Sequence, residues 1–272
     1  MKVEIPISWA EVVDSTNSWA LRSIDSIDKM SVYAAKFQTA GRGQRGNKWH
    51  SATGENLTFS IGLRFGNEFA GHLKAIEQFV ITEIAALAVA DFLSAKGAGV
   101  CIKWPNDIYV RDRKICGMLI ENSLRGDEVA TSIIGIGINL RQRDFPPELI
   151  NPTSLILATG KEIDPEAALG DFLPCFLSRM EMSLTADGRI KLRNDYLDIL
   201  YRKDKVFTYR DNVAGVEFQG IIKGVLPQGA GTAAGKAFTG FGSLLYFFPF
   251  PMIFQPCYGN IAVILYLSPS VN

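Results

Sequence analysis

Between residues 100 and 140 the chain runs through four apolar, β-rich segments, VCIKW, DIYVRD, KICGMLIENSL and EVATSIIGIGINL, and only the polar turns RDRK and RGDE separate the last three. Connections this short fold each strand back beside the one before it, because a parallel pair needs a crossover of a dozen or more residues. The sheet is therefore antiparallel, or mixed where other segments join it. SVYAAKFQ and NLTFSIGLRF read as two earlier strands. From His72 to Ala95 the period changes: Leu73, Ile76, Phe79 and Val80, Ile84, Leu87 and Ala88, then Phe92 fall three or four apart, the stripe of one amphipathic helix ending before Gly97. Helical periodicity returns at about 165–183 and 189–202. Strands first, helices packed on them and no repeated βαβ unit define an α+β class with a mixed, largely antiparallel sheet. After Lys205, KVFTYR and VEFQGIIKGV, separated by a turn at Asp211-Asn212, read as the start of a small β-barrel domain.

A chain of 272 residues, 47% apolar, can bury the core of one large domain with a small satellite. The expected division is 1–204, 205–236 for the start of the small domain, and 237–272 for a tail of different composition. Twenty-eight basic residues balance 28 acidic ones, so no global field draws the protein to nucleic acid or to an anionic membrane. Cysteines 101, 116, 175 and 257 form no CxxC pair, and with only two histidines no zinc cluster of the usual spacing is expected. The N-terminus carries Glu4 and Glu11 and lacks the apolar stretch of a secretory signal, so a cytoplasmic, reducing setting is expected. The 237–272 tail holds no charge; Pro249, Pro251, Gln255, Pro256, Gly259 and Asn260 cut its apolar runs below the ~18 residues of a spanning helix. It reads as sequence foreign to the fold in preference to strands of the small domain, and membrane anchorage is the least favoured reading.

Chemistry concentrates in the loop GRGQRGNKWHS at 41–51. Its Gly41-x-Gly43-x-x-Gly46 spacing imitates a dinucleotide fingerprint, but no apolar helix follows, and the G-K-[ST] of a P-loop is missing. Glycines still admit close backbone approach, while Arg42 and Arg45 offer forked donors for carboxylate or phosphate oxygens. The loop is thus either an anion cradle or a solvated basic turn. Trp49 beside it could stack on a planar heterocycle or bury itself in the next strand.

Three further stretches bear on the same chemistry. KWPNDIYV places Lys103 at the end of an otherwise apolar strand, where the ammonium either reaches solvent or faces a pocket to neutralise developing negative charge. In VVDSTNSWA, Ser15 or Thr16 suits a helix N-cap or a hydrogen bond to a small polar ligand. The alternating glycines of GIGIN, residues 135–139, leave one sheet face without side chains, open to a close neighbour.

Taken in order, DSTN, GRGQRG…W, KWPND, RKICGMLIE and GIGIN resemble the biotin–protein ligases over about residues 8–140. The resemblance implies a sheet-and-helix domain related to class II aminoacyl-tRNA synthetases, followed by a small SH3-like barrel. It implies an ATP-dependent ligase that forms biotinyl-AMP and transfers biotin to a lysine of a biotin carboxyl carrier protein, acting as monomer or homodimer without nucleic acid or membrane. By the same resemblance, Ser15, Thr16, Asn17 and Gln38 would surround the head of biotin. Gly41, Arg42, Gly43 and Gln44 would close over its carboxylate, with Lys103 and Arg42 as catalytic groups. Arg45, Trp49, Asn106, Lys114 and Asn139 would hold ATP and its Mg²⁺. The family's loop often reads Gly-Arg-Gly-Arg; Gln44 replaces the second arginine, which implies a looser hold on the adenylate. The resemblance leaves no room for the N-terminal DNA-binding domain of repressor-type members. A lipoate ligase is disfavoured because its R-R-x-S-G-G-G loop pattern is missing.

Overall fold

The computed structural model describes residues 4–210, 217–227, 252–257 and 261–267. They belong to two compact units, Met1–Ile199 and Leu200–Asn272. In the first, β1 (Ile7–Val13), β2 (Met30–Gln38), β3 (Leu57–Arg64), β4 (Val100–Lys103), β5 (Asp107–Val110), β6 (Arg113–Arg125) and β7 (Glu128–Ile138) form one sheet in the order β1-β2-β3-β7-β6-β5-β4. The four segments with short turns make an antiparallel meander, as their connections require. Only β1 and β2 run parallel, joined across helix α1 (Thr16–Arg22), and this single crossover makes the sheet mixed.

Side-chain alternation sorts the two faces. Phe59 and Ile61 on β3 and Ile134, Ile136 and Ile138 on β7 are buried, and the Phe59 ring meets Phe172 edge-on at 5.1 Å. That face carries α2 (Phe79–Ala95), α4 (Pro165–Met182) and α5 (Ala186–Asp198). Ser60, between Phe59 and Ile61, points to the other face and meets α1 there. Local chemistry starts these helices. Asp164 accepts from the Glu166 amide at 2.9 Å with Pro165 in the first turn, and Thr185 accepts from the Gly188 amide at 3.0 Å. Arg179 on α4 ties the layer together through Asp91 of α2 at 2.7 Å and Asp195 of α5 at 2.5 Å.

The helix expected over 72–95 is shorter: α2 begins at Phe79, after a 3₁₀ turn at Ala75–Glu77. The preceding backbone bonds to the β6–β7 hairpin, with Val129 N donating to Leu73 O at 2.8 Å and Ala75 N to Asp127 O at 2.7 Å, so these groups are not free for a helical ladder. Nor does α2 have one apolar stripe. Thirteen of its 17 residues are buried, because it lies between the sheet on one side and α4 and α5 on the other. Helix α5 ends at Asp198, short of the expected 202, and α3 (Leu155–Thr159), capped by Ser154, is too short for periodicity to reveal.

In the second unit β8 (Val206–Arg210), β9 (Glu217–Pro227), β10 (Met252–Cys257) and β11 (Ile261–Leu267) form an antiparallel sheet in the order β10-β11-β9-β8. Within the tail, residues 252–257 and 261–267 are thus paired strands; its other residues, and the turn at Asp211-Asn212, lie outside the described residues. Among the described residues no helix is long and apolar enough to cross a membrane.

Candidate active site

Strand register lays out a row across the sheet face opposite α2. Ala35 stands opposite Thr58, Thr58 opposite Gly137, Gly137 opposite Gly117, Gly117 opposite Asp107, and Asp107 opposite Lys103. Cross-strand partners share a face, so Lys103 projects on the same side as the two glycines. One step along, Tyr33, Ser60, Gly135 and Leu119 form the neighbouring row. The middle of this face is stripped of side chains, as the alternating glycines imply.

The protein's own side chains fill that strip. A Cβ at Gly135 would stand 1.9 Å from Asn17 Oδ1, and a Cβ at Gly137 would stand 2.3–2.6 Å from three atoms of the Trp49 indole. A Cβ at Gly117 would meet both Trp49, at 3.0 Å, and the end of Lys114, at 3.1 Å. Two platforms therefore lie side by side on bare backbone, an amide from α1 and an indole from the glycine loop.

Around the first platform hydrogen bonds link Thr16, Asn17, Gln38 and Ser60. Ser60 Oγ lies 2.6 Å from Asn17 Oδ1 and 2.8 Å from Thr16 Oγ1. Gln38 Oε1 accepts from the Thr16 amide at 2.7 Å and from its hydroxyl at 3.2 Å. Asn17 Nδ2 donates to Leu119 O at 3.1 Å and to Glu121 Oε2 at 2.8 Å. Ser15 is the N-cap residue of α1 and is buried, but its side chain accepts no capping bond, leaving the hydroxyl free of that duty.

The Gly41–Gly46 segment folds into a small closed turn. Gly43 N donates to Asn47 O at 2.7 Å, Trp49 N to Gly41 O at 3.0 Å, and Gln44–Gly46 form a 3₁₀ turn with Gly46 at φ +78°, a value that favours glycine. Gly41 must lack a side chain because a Cβ there would lie 2.6 Å from Trp49 O. Arg42 pairs with Glu121. The side chain of Arg45 lies outside the described residues. Trp49 Nε1 is buried and has no hydrogen-bond partner among the described residues, a donor kept away from water.

At the other end of the row, Lys103 Nζ donates to Tyr109 Oη at 3.0 Å and lies 4.9 Å from that ring's centroid. Lys114 pairs with Asp107 at 2.7 Å, its ammonium 6.0 Å from the Trp49 ring. Asn106 donates to Met118 O. Asn139 donates to Thr153 O at 2.9 Å while its Oδ1 is buried without a partner among the described residues. Cys116 is not a nucleophile: complete burial pushes its thiol far up. Burial likewise raises the Cys101 thiol to about 11, so both stay protonated at neutral pH.

Sequence reasoning passed over Ser60, Asp107, Gly117 and Glu121. Counting by two from Gly117 along β6 would have placed Glu121 on the same face, since strand side chains alternate. Nothing local marks Ser60, which register alone brings in, while Asp107 closes the KWPND stretch and pairs with Lys103 across the turn between them.

The model of the Biotin/lipoate A/B protein ligase family matches residues 9–139, the stretch that builds both platforms. A biotin–[acetyl-CoA-carboxylase] ligase of Paracoccus denitrificans is 32% identical over 231 residues, covering 82% of this chain and 92% of that protein. The chain belongs to the biotin protein ligases. The bifunctional ligase/repressor BirA of Escherichia coli, another relative, is 36% identical over 141 residues, 52% of this chain and 42% of that longer protein. Among solved structures, the biotin protein ligase of Aquifex aeolicus in complex with biotin and ATP superposes with a TM-score of 0.63 at 26% identity, over 82% of this chain and 88% of that one. The mixed sheet with packed helices is the fold this ligase shares with them.

Proposed function

We propose that this protein joins biotin to ATP as biotinyl-AMP and then passes biotin to a specific lysine of a biotin carboxyl carrier protein. The observation that carries the proposal is the pair of platforms seated on Gly135 and Gly137, with cations at their edge. Asn17, Thr16, Ser15 and Gln38 form a compact, hydrogen-bonded shelf suited to a small polar ring such as the ureido group of biotin. Trp49 with Lys114 provides an aromatic face and a positive charge for an adenine nucleotide. Mg²⁺ enters as part of the substrate Mg–ATP; Asp107 and Asn106 supply the oxygen chemistry such a hard cation prefers.

In the first step a carboxylate oxygen of biotin attacks the α-phosphorus, and the bond to the bridging oxygen breaks to release pyrophosphate. In the second, the carrier lysine's amine attacks the carbonyl of the mixed anhydride, AMP leaves with the bond's electron pair, and the amine gives up a proton. Both displacements need alignment and charge neutralisation and require no covalent enzyme intermediate. Lys103 is the group assigned to the shared carboxyl and phosphoryl oxygens. Its hydrogen bond goes to the Tyr109 hydroxyl and not to a carboxylate, which suits a group that must turn to an anion. Lys103→Ala should abolish biotin-dependent exchange of pyrophosphate into ATP while leaving the unfolding midpoint unchanged. Retained exchange would overturn the assignment, and lipoate-dependent exchange in the unaltered chain would redirect it to the neighbouring ligase class.

A further inference from the structure

Thr58 stands on β3 in the row that carries the indole platform, between Ala35 of β2 and Gly137 of β7. It is only 5% exposed, yet its Oγ1 has no hydrogen-bond partner among the described residues. Its neighbours explain this. Across the strands, Ala35 carries a methyl group and Gly137 no side chain at all. Along the strand, alternation puts Asn56 and Ser60 on the same face, and both are committed elsewhere. Asn56 Oδ1 accepts from the Leu140 amide at 3.0 Å, and its Nδ2 donates to Ser51 Oγ at 3.1 Å and to Gln142 Oε1 at 2.5 Å. Ser60 Oγ lies against Thr16 and Asn17. We propose that Thr58 is a further binding residue of the vitamin site, its hydroxyl forming a hydrogen bond to a polar atom of biotin's ring system beside the Asn17 shelf.

The chemistry points to a ligand and not to packing. A buried hydroxyl that bonds to nothing has given up water and gained no partner, so valine, of the same shape, would serve the fold better at this position. A ligand atom that bonds the hydroxyl recovers that loss, and does so only on binding. Position favours the vitamin over the nucleotide. Thr58 lies two residues from Ser60 on one face, a spacing of about 6.6–6.8 Å, the size of a small fused ring resting on the shelf. The Lys114–Asp107 pair, assigned to the nucleotide and its cation, stands three strands away from Thr58, about 14 Å at ~4.8 Å per strand. The hydroxyl is carried by a strand paired on both sides, so its place owes nothing to the conformation of the glycine turn. As both donor and acceptor, it can meet either an N–H or an oxygen of the ring system.

The proposal rests on the ligase reading, and the test separates the two. Thr58→Val removes the hydroxyl and keeps the shape, whereas Thr58→Ser keeps the hydroxyl. Calorimetry on the full chain should give a Kd for biotin about tenfold weaker in Thr58→Val, the loss expected when one hydrogen bond to a buried ligand group goes unmade. The Kd for ATP should stay within about twofold, and Thr58→Ser should bind biotin within about threefold of the unaltered chain. The urea midpoint of Thr58→Val should be equal or higher, because no bond within the protein is lost. A lower midpoint, or a variant that does not fold, would mean that the hydroxyl serves the fold and would overturn the proposal. So would biotin affinity within about twofold of the unaltered chain in Thr58→Val, or a loss confined to ATP, which would hand the hydroxyl to the nucleotide. An unaltered chain that binds biotin while Thr58→Val binds it equally well defeats this inference alone; an unaltered chain that binds no biotin defeats the ligase reading together with it.

Discussion

Gly137→Ala adds one methyl group where the structure leaves no room. Its Cβ would sit 2.3, 2.5 and 2.6 Å from three indole atoms of Trp49, against the 3.5–4.0 Å of ordinary carbon contact, so the ring must move by about 1–1.5 Å. The backbone cannot yield instead, since Gly137 is paired with Thr58 on one side and Gly117 on the other. Overpacking of this kind costs about 1–3 kcal/mol. Two effects offset part of it. Alanine in a strand is favoured over glycine by about 0.5–1 kcal/mol, and a displaced indole can return its buried, unpartnered Nε1 to water. The net loss of stability should therefore be about 1–2 kcal/mol, read from urea unfolding, whereas the aromatic platform is lost as a unit. Affinity for ATP, measured by calorimetry, should fall at least tenfold, with biotin affinity nearly unchanged. Gly135→Ala supplies the contrast, because its Cβ strikes Asn17 and should weaken biotin in preference to ATP. Unchanged ATP affinity in Gly137→Ala would refute the assignment of Trp49 to the nucleotide.

Two other outcomes concern the helical layer. Glu83 on α2 is buried against Arg193, and its pKa is raised to about 7 mainly by burial, which outweighs the attraction of the arginine. Between pH 4.5 and 7 the native state holds a proton the unfolded chain has released. The contribution of this group is therefore complete below about pH 4.5 and is lost as pH rises through 7, by about 2–3 kcal/mol. Urea unfolding at pH 5 and pH 8 should show a smaller drop in Glu83→Gln than in the unaltered chain; equal drops would remove Glu83 as the source. Arg179→Met should leave Asp91 and Asp195 without their shared cation and cost about 2–3 kcal/mol, less than for a fully buried pair because both carboxylates remain partly exposed. An unchanged urea midpoint would show that water already screens the trio.

Much of the site was legible in the chain. GIGIN announced a bare strip of sheet because alternation sends every second side chain to one face, whereas GRGQRG left an anion cradle and a solvated basic turn both open, because glycines and arginines suit either. The helix beginning at Phe79 was read as starting at residue 72, because periodicity registers apolar spacing and is blind to the backbone partners that the β6–β7 hairpin offers Leu73 and Ala75. Glu121 and Ser60 escaped for a related reason: each is an ordinary polar residue until α1, more than forty positions away, comes to lie beside it, whereas Asp107 meets Lys103 and Lys114 within the meander itself.

By itself the sequence determined the antiparallel meander, since turns of a few residues permit no other return, and the identity of the residues able to bind an anion or a ring. Tertiary structure decided who meets whom. Cross-strand register put Lys103, Asp107, Gly117 and Gly137 in a single row, and close packing chose Asn17 and Trp49 as occupants of the glycine strip. Local patterns follow from covalent geometry and polarity, whereas contacts between distant residues depend on how layers settle, and only one arrangement of this sheet brings those groups to one face.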